Sequence, residues 1–502
     1  MNFEILAFVL YFVLVLGIGI FFFIKSQGNE SEEEYFLGGR KMGPFVTAMS
    51  AQASDMSGWL LMGLPGSILA FGLGKAWIGI GLAIGTSLNW IFTAKRLRKF
   101  SKAYGNSITL PEYLQNRFYS KNRVLSVLCA VVFLIAFTIY VASAFVSGAT
   151  VFTSLVPSLS NSTAMIIFAV VILLYTFLGG YRAVCYTDFF QGILMLIALL
   201  SVPIIMVVTE DLNTATLATD YTNINDGTVY SFTTNVFSAS WQEIVSGLAW
   251  GLGYFGMPHI LVRFMGIEKP SQIKKSASVA IVWVILTLGA AMIMAYLGRM
   301  VVAPDLLPEG LQKTIFIVLS RRYFPAFISG ILLAAIIAAA MSTADSQLLV
   351  ASSSFTNDIY KPIIRKEASE KELLWVARGV VVVVAIVAYF IASSKGSGAQ
   401  AIMDMVENAW GLFGAAFGPT VILSLTWKRF NQAGAIAGIS VGAIVDLVWY
   451  NVDVLSNTGI YEILPGAVIG CIAAVIVTLV TPAPSAEIEK TFAIATDDNI
   501  DD

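Results

Sequence analysis

The 502 residues are 57% hydrophobic and only 12% charged, with a formal net charge of −2 and a mean hydropathy of +0.79. An average soluble chain is about 25% charged, so this chain has too few acids and bases to cover the surface of a soluble protein of its length. With a pI of about 5.7 and no basic stripe, the sequence also argues against nucleic acid as a partner.

The composition predicts an all-α polytopic membrane protein. A bilayer core about 30 Å thick takes about 20 apolar residues per helix. Such stretches occur at 5–25, 43–71, 74–95, 124–155, 162–180, 187–209, 239–262, 275–298, 326–354, 371–393, 398–426, 432–450 and 460–481, which makes about 13 transmembrane helices. The first follows Glu4 rather than a basic region and has no small-residue cleavage site, so it is expected to be a retained span rather than a signal peptide. The longer connections fall at 26–42, 96–123, 210–240, 299–325 and 355–370, and no hydrophilic domain interrupts the series.

An odd number of spans places the termini on opposite faces. Alternate loops from one side hold 24 of the 30 Lys and Arg residues, including the run from Lys95 to Arg123; the other side holds Lys75, Arg299, Lys313, Arg321, Arg322 and Lys395. The positive-inside rule then predicts an external N-terminus and a cytoplasmic C-terminus.

Two spans carry helix-breaking residues. The second reads Ser50-Ala-Gln-Ala-Ser-Asp55-Met-Ser-Gly-Trp59 and ends in Gly63-Leu-Pro65-Gly66; the seventh reads Trp250-Gly-Leu-Gly253-Tyr254-Phe-Gly256-Met-Pro258-His259. In a helix interior Gly costs about 1 kcal/mol and Pro about 3, so unwound backbone is expected at 50–59 and 250–259, tolerated where it lines a cavity. Each broken span opens a group of five, 43–209 and 239–426. Interrupted helices at matching positions of two halves point to the midplane site of a transporter. The expected organisation is a first span and loop over 1–42, a five-helix repeat over 43–209, an external loop over 210–238, an inverted five-helix repeat over 239–426, and two accessory helices with a tail over 427–502.

The chemistry concentrates on these segments. Asp55 lies at mid-membrane, where an unpaired acid costs about 2.5–3.5 kcal/mol; no Lys or Arg falls at a comparable depth in the spans as drawn, which favours a functional acid near a cation path. On the ninth span, Met341-Ser342-Thr343-Ala-Asp345 follows a run of alanines. Hydroxyls can replace the water shell of a hard cation, which prefers oxygen ligands, or can serve as interhelical packing bonds. Asp345, on nearly the same helix face as Ser342, favours the ion reading. Asp188 can join that group or sit at the interface. Trp59, Tyr140, Trp250 and Tyr254 can hold a small ring and face an amine, or can simply pack. His259, the only histidine, reads as structural; Cys129, Cys185 and Cys471 have no disulfide or metal spacing; and Asp404, Glu407 and Asp446 are intramembrane acids without an assigned role. Leu178-Gly179-Gly180-Tyr181 ends a full span and so is no potassium filter. A channel, and an enzyme needing a nucleophile–base pair or metal ligands, both fit the inventory poorly.

The segments Tyr35-Phe-Leu-Gly-Gly-Arg40 and Gly43 to Gly66, together with Tyr175 to Gly180, Gly251 to Gly256, Pro258-His259, Met341-Ser-Thr343 and Gly411 to Pro419, closely resemble the sodium:solute symporter family over nearly the whole chain. The resemblance implies a five-plus-five inverted-repeat transporter, sodium-coupled uptake of L-proline, and a place in a bacterial cytoplasmic membrane without an obligatory protein partner. A different small solute, another amino acid or a carboxylate, is the alternative within the family. Carried over by position, the resemblance assigns sodium to the backbone oxygens of Ala53, Met56 and Ala339 and the hydroxyls of Ser342 and Thr343, with Asp55 required for sodium dependence. It assigns the solute pocket to Ser57, Trp59, Tyr140, Trp250, Tyr254 and Pro258, and an influence on coupling to Arg40. Asp345 departs from the pattern of the family's best-known proline carrier, which has a neutral residue there. Members with a second sodium site carry hydroxyls near this turn and an acid at the position of Asp188, so the resemblance leaves the number of sodium ions open.

Overall fold

The computed structural model describes residues 3–26, 31–395 and 399–497. The chain is helical almost throughout, because backbone polar groups in hydrocarbon must be satisfied within the segment itself. In chain order the membrane elements are α1 (Phe3–Ser26), α2 (Pro44–Asp55), α3 (Trp59–Phe71), α4 (Leu73–Ala103), α5 (Val124–Leu155), α6 (Asn161–Leu174), α7 (Gly180–Thr209), α8 (Trp241–Phe255), α9 (Pro258–Gly266), α10 (Pro270–Val301), α11 (Ala326–Ile364), α12 (Glu370–Ser394), α13 (Ala401–Thr426), α14 (Gln432–Asn451) and α15 (Ile463–Val480).

Ten helices among the described residues are long and apolar enough to cross a bilayer, and eleven if α8–α9 is one span bent by 44°. The expected count of about thirteen is not reached by that measure, because the stretches 43–71 and 162–180 fall into shorter pieces. The former splits into α2 and α3. The latter yields α6, and the chain then turns at Gly180, whose φ of 57° is readily adopted only by glycine.

Helix α11 is the axis of the bundle. Every residue from Leu332 to Ser354 is buried, and α11 packs against α1, α5, α7 and α12. Its Ala and Ser residues are small enough for such close approach. The outer helices turn apolar side chains outward, for example Val13 and Phe21 on α1 and Phe390 on α12, as lipid-facing surfaces require. Helix α9 packs on α2, so the two broken segments touch. The accessory helices α14 and α15 pair with each other and with α13.

The loops hold more structure than the sequence suggested. The 210–240 connection contains a small hairpin, Tyr221–Thr222 against Val229–Tyr230. It is tied down by Arg299, whose guanidinium donates to the carbonyls of Leu69, Thr219 and Tyr230. Beyond α15, the helix Ala486–Thr496 returns to the basic end of α4, where Tyr104 donates to the Ile488 carbonyl at 2.9 Å.

Candidate functional site

The break after α2 is narrower than the sequence suggested. The helix runs through Asp55, and only Met56 and Ser57 leave it: Met56 turns to φ −84°, ψ 83°, Gly58 is again helical, and α3 follows from Trp59. Gly58 allows the close approach of α5, since a Cβ there would lie 2.4 Å from Ser147 Oγ. Asp55 therefore ends a helix, at the negative pole of its macrodipole, a position that favours a cation. Its side chain is wholly buried. The Tyr254 hydroxyl donates to Oδ2 at 2.5 Å, the Tyr140 hydroxyl reaches the Asp55 carbonyl at 3.5 Å, and Oδ1 has no hydrogen-bond partner. The carboxyl is thus held by a tyrosine from the other broken segment, not by a base.

The small-residue turn of α11 lies directly against this break. Ser342 Oγ donates to the carbonyl of Ala53 at 2.8 Å and lies 3.2 Å from that of Ala339. Thr343 Oγ1, on the next residue, is buried without a partner. The structure thus brings Ala53, Ala339 and Ser342 into one oxygen cluster, with Thr343 beside it and Met56 at the break three residues beyond Ala53. Carbonyl and hydroxyl oxygens without thiolate or imidazole are a donor set for a hard cation. A serine hydroxyl can turn its hydrogen away and present its lone pairs to the same point.

Asp188 and Asp345 belong to a second cluster, organised by a base that the sequence had placed in a loop. Asp188 is fully buried within α7, not interfacial. Arg263, on α9, approaches Asp188 Oδ2 at 3.2 Å and donates to Ser50 Oγ at 3.1 Å and to Ser346 Oγ at 2.5 Å. Ser50 Oγ in turn donates to Asp188 Oδ2 at 2.6 Å. Asp345 accepts from Ser346 at 3.3 Å, and its Oδ2 has no partner. The protein's own guanidinium therefore pairs with Asp188 and reaches Asp345 through Ser346. An arginine within one turn of a helix that carries an intramembrane histidine was the signal that could have revealed it.

The aromatic residues converge from separate helices. Ser57 and Trp59 lie against the Tyr140 hydroxyl, and Tyr140 and Phe137 face the ring of His259. Pro258 occupies the first turn of α9, where its missing N–H breaks no helical bond. Trp250 and Tyr254 meet Trp410 of α13: Trp410 Nε1 donates to the Trp250 carbonyl at 2.7 Å, and the Tyr254 ring stands edge-on to Trp410 at 5.0 Å. Tyr461 packs on Trp250 at 5.1 Å. Trp410 and Tyr461 escaped the sequence reading, because nothing in their local patterns separates them from lipid-facing aromatics.

Arg40 stands apart from this centre. It donates to Asn106 Oδ1 at 2.9 Å, Ser101 Oγ at 3.1 Å, and the carbonyls of Met265 and Ser107 at 2.6 Å each. Burial, with Arg98 nearby, brings its guanidinium down to about 10, which leaves it charged at neutral pH. Beside it Met42 pairs with the chain leaving α9, through Met42 N to Gly266 O at 3.3 Å and Glu268 N to Met42 O at 3.0 Å. This end of the bundle is clasped shut across the two broken segments. At the other end, a cavity of about 390 Å³ reaches down to Trp250 between Lys75, Glu407, Tyr461 and Glu462.

Residues 35–442 match the Sodium:solute symporter family. The chain is 41% identical over 487 residues to the sodium/proline symporter of Escherichia coli K12, covering 96% of this chain and 95% of that one. It is 38% identical over 486 residues to the osmoregulated proline transporter OpuE of Bacillus subtilis 168, covering 97% and 96%. Among solved structures, a substrate-bound, outward-open sodium-coupled sialic acid symporter aligns with a TM-score of 0.77 at 20% identity, covering 97% of this chain and 99% of that one. A nucleobase-cation-symport-1 family transporter in a closed conformation aligns at 0.54 and 13%, covering 91% and 97%. At these identities the structural matches establish a shared fold.

Proposed function

The chain belongs to the sodium:solute symporter family, and from that premise we propose that it carries L-proline into a bacterial cell together with sodium. It is a multi-pass membrane transporter, not an enzyme, and sodium is its co-transported ion. The choice of proline rests on relatives, a sodium/proline symporter and a proline transporter, that align over nearly their whole length. Another small solute remains the rival reading, which a transport panel decides.

The observation that carries the mechanism is a pair of hydrogen bonds at one helix end, Ser342 to the Ala53 carbonyl and Tyr254 to the Asp55 carboxyl, two residues apart on α2. Sodium, held by the Ala53, Met56 and Ala339 carbonyls with the Ser342 and Thr343 hydroxyls, would join α11 to the break after α2. Asp55 lends that region negative charge. Tyr254 transmits the arrangement to the aromatic wall, where Ser57, Trp59, Tyr140, Trp250 and Pro258 would receive the pyrrolidine ring. Coupling is then a binding linkage: each ligand organises elements that the other also uses. Because Arg263 already neutralises Asp188, the reading is one sodium per proline.

The domain division proposed is a first repeat over 43–209 and an inverted repeat over 239–426, with 427–502 as accessory. With the N-terminus outside, the Arg40 clasp is cytoplasmic and the 390 Å³ cavity external, which corresponds to a carrier closed to the inside. The transporter resides in the cytoplasmic membrane in this reading. One charge moving through 100 mV supplies about 2.3 kcal/mol and a tenfold sodium gradient about 1.4, enough for about 500-fold accumulation of a zwitterion.

The test is uptake of radiolabelled L-proline into proteoliposomes under an inward sodium gradient, compared with an equal potassium gradient. Saturable accumulation with sodium alone is expected. Folded, correctly oriented protein that fails to accumulate proline overturns the substrate, and a panel of amino acids and carboxylates then identifies the solute.

A further inference from the structure

Four acids around the outer end of α13 and α14 remain without a function: Asp404, Glu407, Asp446 and Glu462, the last at the head of α15. Asp446 has no exposed surface, and neither of its oxygens has a hydrogen-bond partner. Glu462 is 6% exposed, with Oε1 likewise unpartnered. The two side chains converge on Gly411 of α13. A Cβ built there would lie 2.9 Å from Asp446 Oδ1 and 3.3 Å from Glu462 Cγ. Glu462 also lines the cavity that opens to the external face, so the buried pair has a route to water.

The surroundings are mostly acidic, and Lys75, whose charge acts on Glu407, is the base of the cavity. Asp404 on α13 adds negative potential to both Glu462 and Glu407, and Glu462 adds to that on Glu407. Tyr450 lies on the last turn of α14, and Tyr140 of α5 bears on Tyr461, next to Glu462. Lys75 stands across the cavity mouth, paired with Glu243 at 3.2 Å. The hydroxyl that could help to build a cage, Tyr461 Oη, is committed to the Glu407 carbonyl at 2.7 Å. Among the described residues no group of three or more acidic, His or Cys side chains is arranged to hold a metal ion. Two buried carboxyls that flank one glycine, with few free oxygens around them, suit a proton, since burial and a neighbouring like charge both disfavour the ionised form.

We propose that Asp446 and Glu462 form a proton-binding site, filled from the external side through the cavity. Its occupancy sets the packing of the Trp250 floor above which proline enters. Two short chains of contacts connect them. Tyr461, adjacent to Glu462, packs on Trp250 at 5.1 Å. Trp410, adjacent to Gly411, donates to the Trp250 carbonyl at 2.7 Å. With one proton shared, α13, α14 and the head of α15 stay together and Tyr461 stays on Trp250. When that proton leaves, two bare carboxylates repel, Glu462 moves toward the cavity, and the floor loosens.

The transport part of this inference rests on the proline reading above; the proton site itself does not. The experiment uses the full chain, with Asp446→Asn and Glu462→Gln each close in shape to the protonated acid. Infrared difference spectra of the purified protein between about pH 6 and about pH 9 should contain a protonated-carboxyl band that titrates in the wild type and is lost or shifted in either variant. In proteoliposomes the external proline concentration for half-maximal uptake should rise several-fold over the same range in the wild type and stay flat in both variants. A carboxyl band unchanged by both substitutions overturns the site. A titrating band with identical uptake profiles in wild type and variants overturns the link to Trp250. Wild-type vesicles that show no proline uptake overturn the substrate reading, while the infrared arm still decides the site. Each variant is first checked for monodisperse elution, and the second substitution serves if the first does not fold.

Discussion

The two broken segments meet at the centre of the bundle, yet they are built in opposite ways. The break between α2 and α3 spans only Met56 and Ser57 and is bordered by small polar residues, a helix-ending carboxylate and side-chain oxygens without partners. The break in α8–α9 is longer. It winds tightly over Trp250–Phe255 and bends by 44° before Pro258, and its glycines are filled by neighbours. A Cβ on Gly253 would lie 2.0 Å from Trp410 Nε1, and one on Gly256 2.2 Å from the Phe413 carbonyl. One break leaves polar atoms available at membrane depth, as an ion requires; the other uses glycine to bring a rigid aromatic wall close. The same helix-breaking residues therefore serve ligand chemistry in one half and packing in the other.

Substitutions can break this contrast. The largest effect is expected from Asp55→Asn, which removes the one carboxylate at the polar break. A loss of about 3 kcal/mol corresponds to a rise of about 100-fold in the sodium needed for half-maximal uptake, measured as initial proline influx against sodium concentration. Ser342→Ala combined with Thr343→Ala removes two oxygens, and at about 1 kcal/mol each should raise the same quantity about 30-fold. An unchanged sodium dependence would remove the site from this turn.

Tyr254→Phe cuts the bond that joins the two breaks. Losing a hydrogen bond to a charged acceptor, about 1.5 kcal/mol, should weaken the sodium and proline dependences together by about tenfold; an effect on proline alone would mean that the breaks act independently. Gly253→Ala tests the packed break by displacing Trp410. At about 1 kcal/mol of overpacking, it should raise the half-saturating proline concentration about fivefold, with sodium binding in the absence of proline unaltered. The smallest effect belongs to Asp345→Asn. With Arg263 seated between Asp188 and Ser346, the sodium Hill coefficient should remain at that of the wild type, and a fall would establish a second ion.

The membrane class, the positions of most spans and both broken segments were legible in the sequence, because hydropathy and helix breakers act locally. The width of the first break was not. The helix persists to Asp55, since the Met56 amide still bonds to Gln52 at 3.0 Å, which a tally of breaker residues cannot reveal. Of the candidate residues, Ala53, Ala339 and Ser342 lie together at the first break. Asp188 and Asp345 were instead found beside Arg263, which span boundaries drawn from hydropathy had moved into a loop. Trp410 and Tyr461 could not be singled out, because a tryptophan touching lipid and one closing a pocket look alike in one dimension.

The sequence by itself determined that this chain lives in a bilayer, which segments cannot remain regular helices there, and which residue types are costly at that depth. Those properties depend on each segment's own transfer from water. Partners were decided only by the tertiary structure: Tyr254 rather than a base on Asp55, Arg263 rather than open space by Asp188, and Asp446 near Glu462 among further acids. A buried polar group takes its meaning from what faces it, and what faces it comes from another helix.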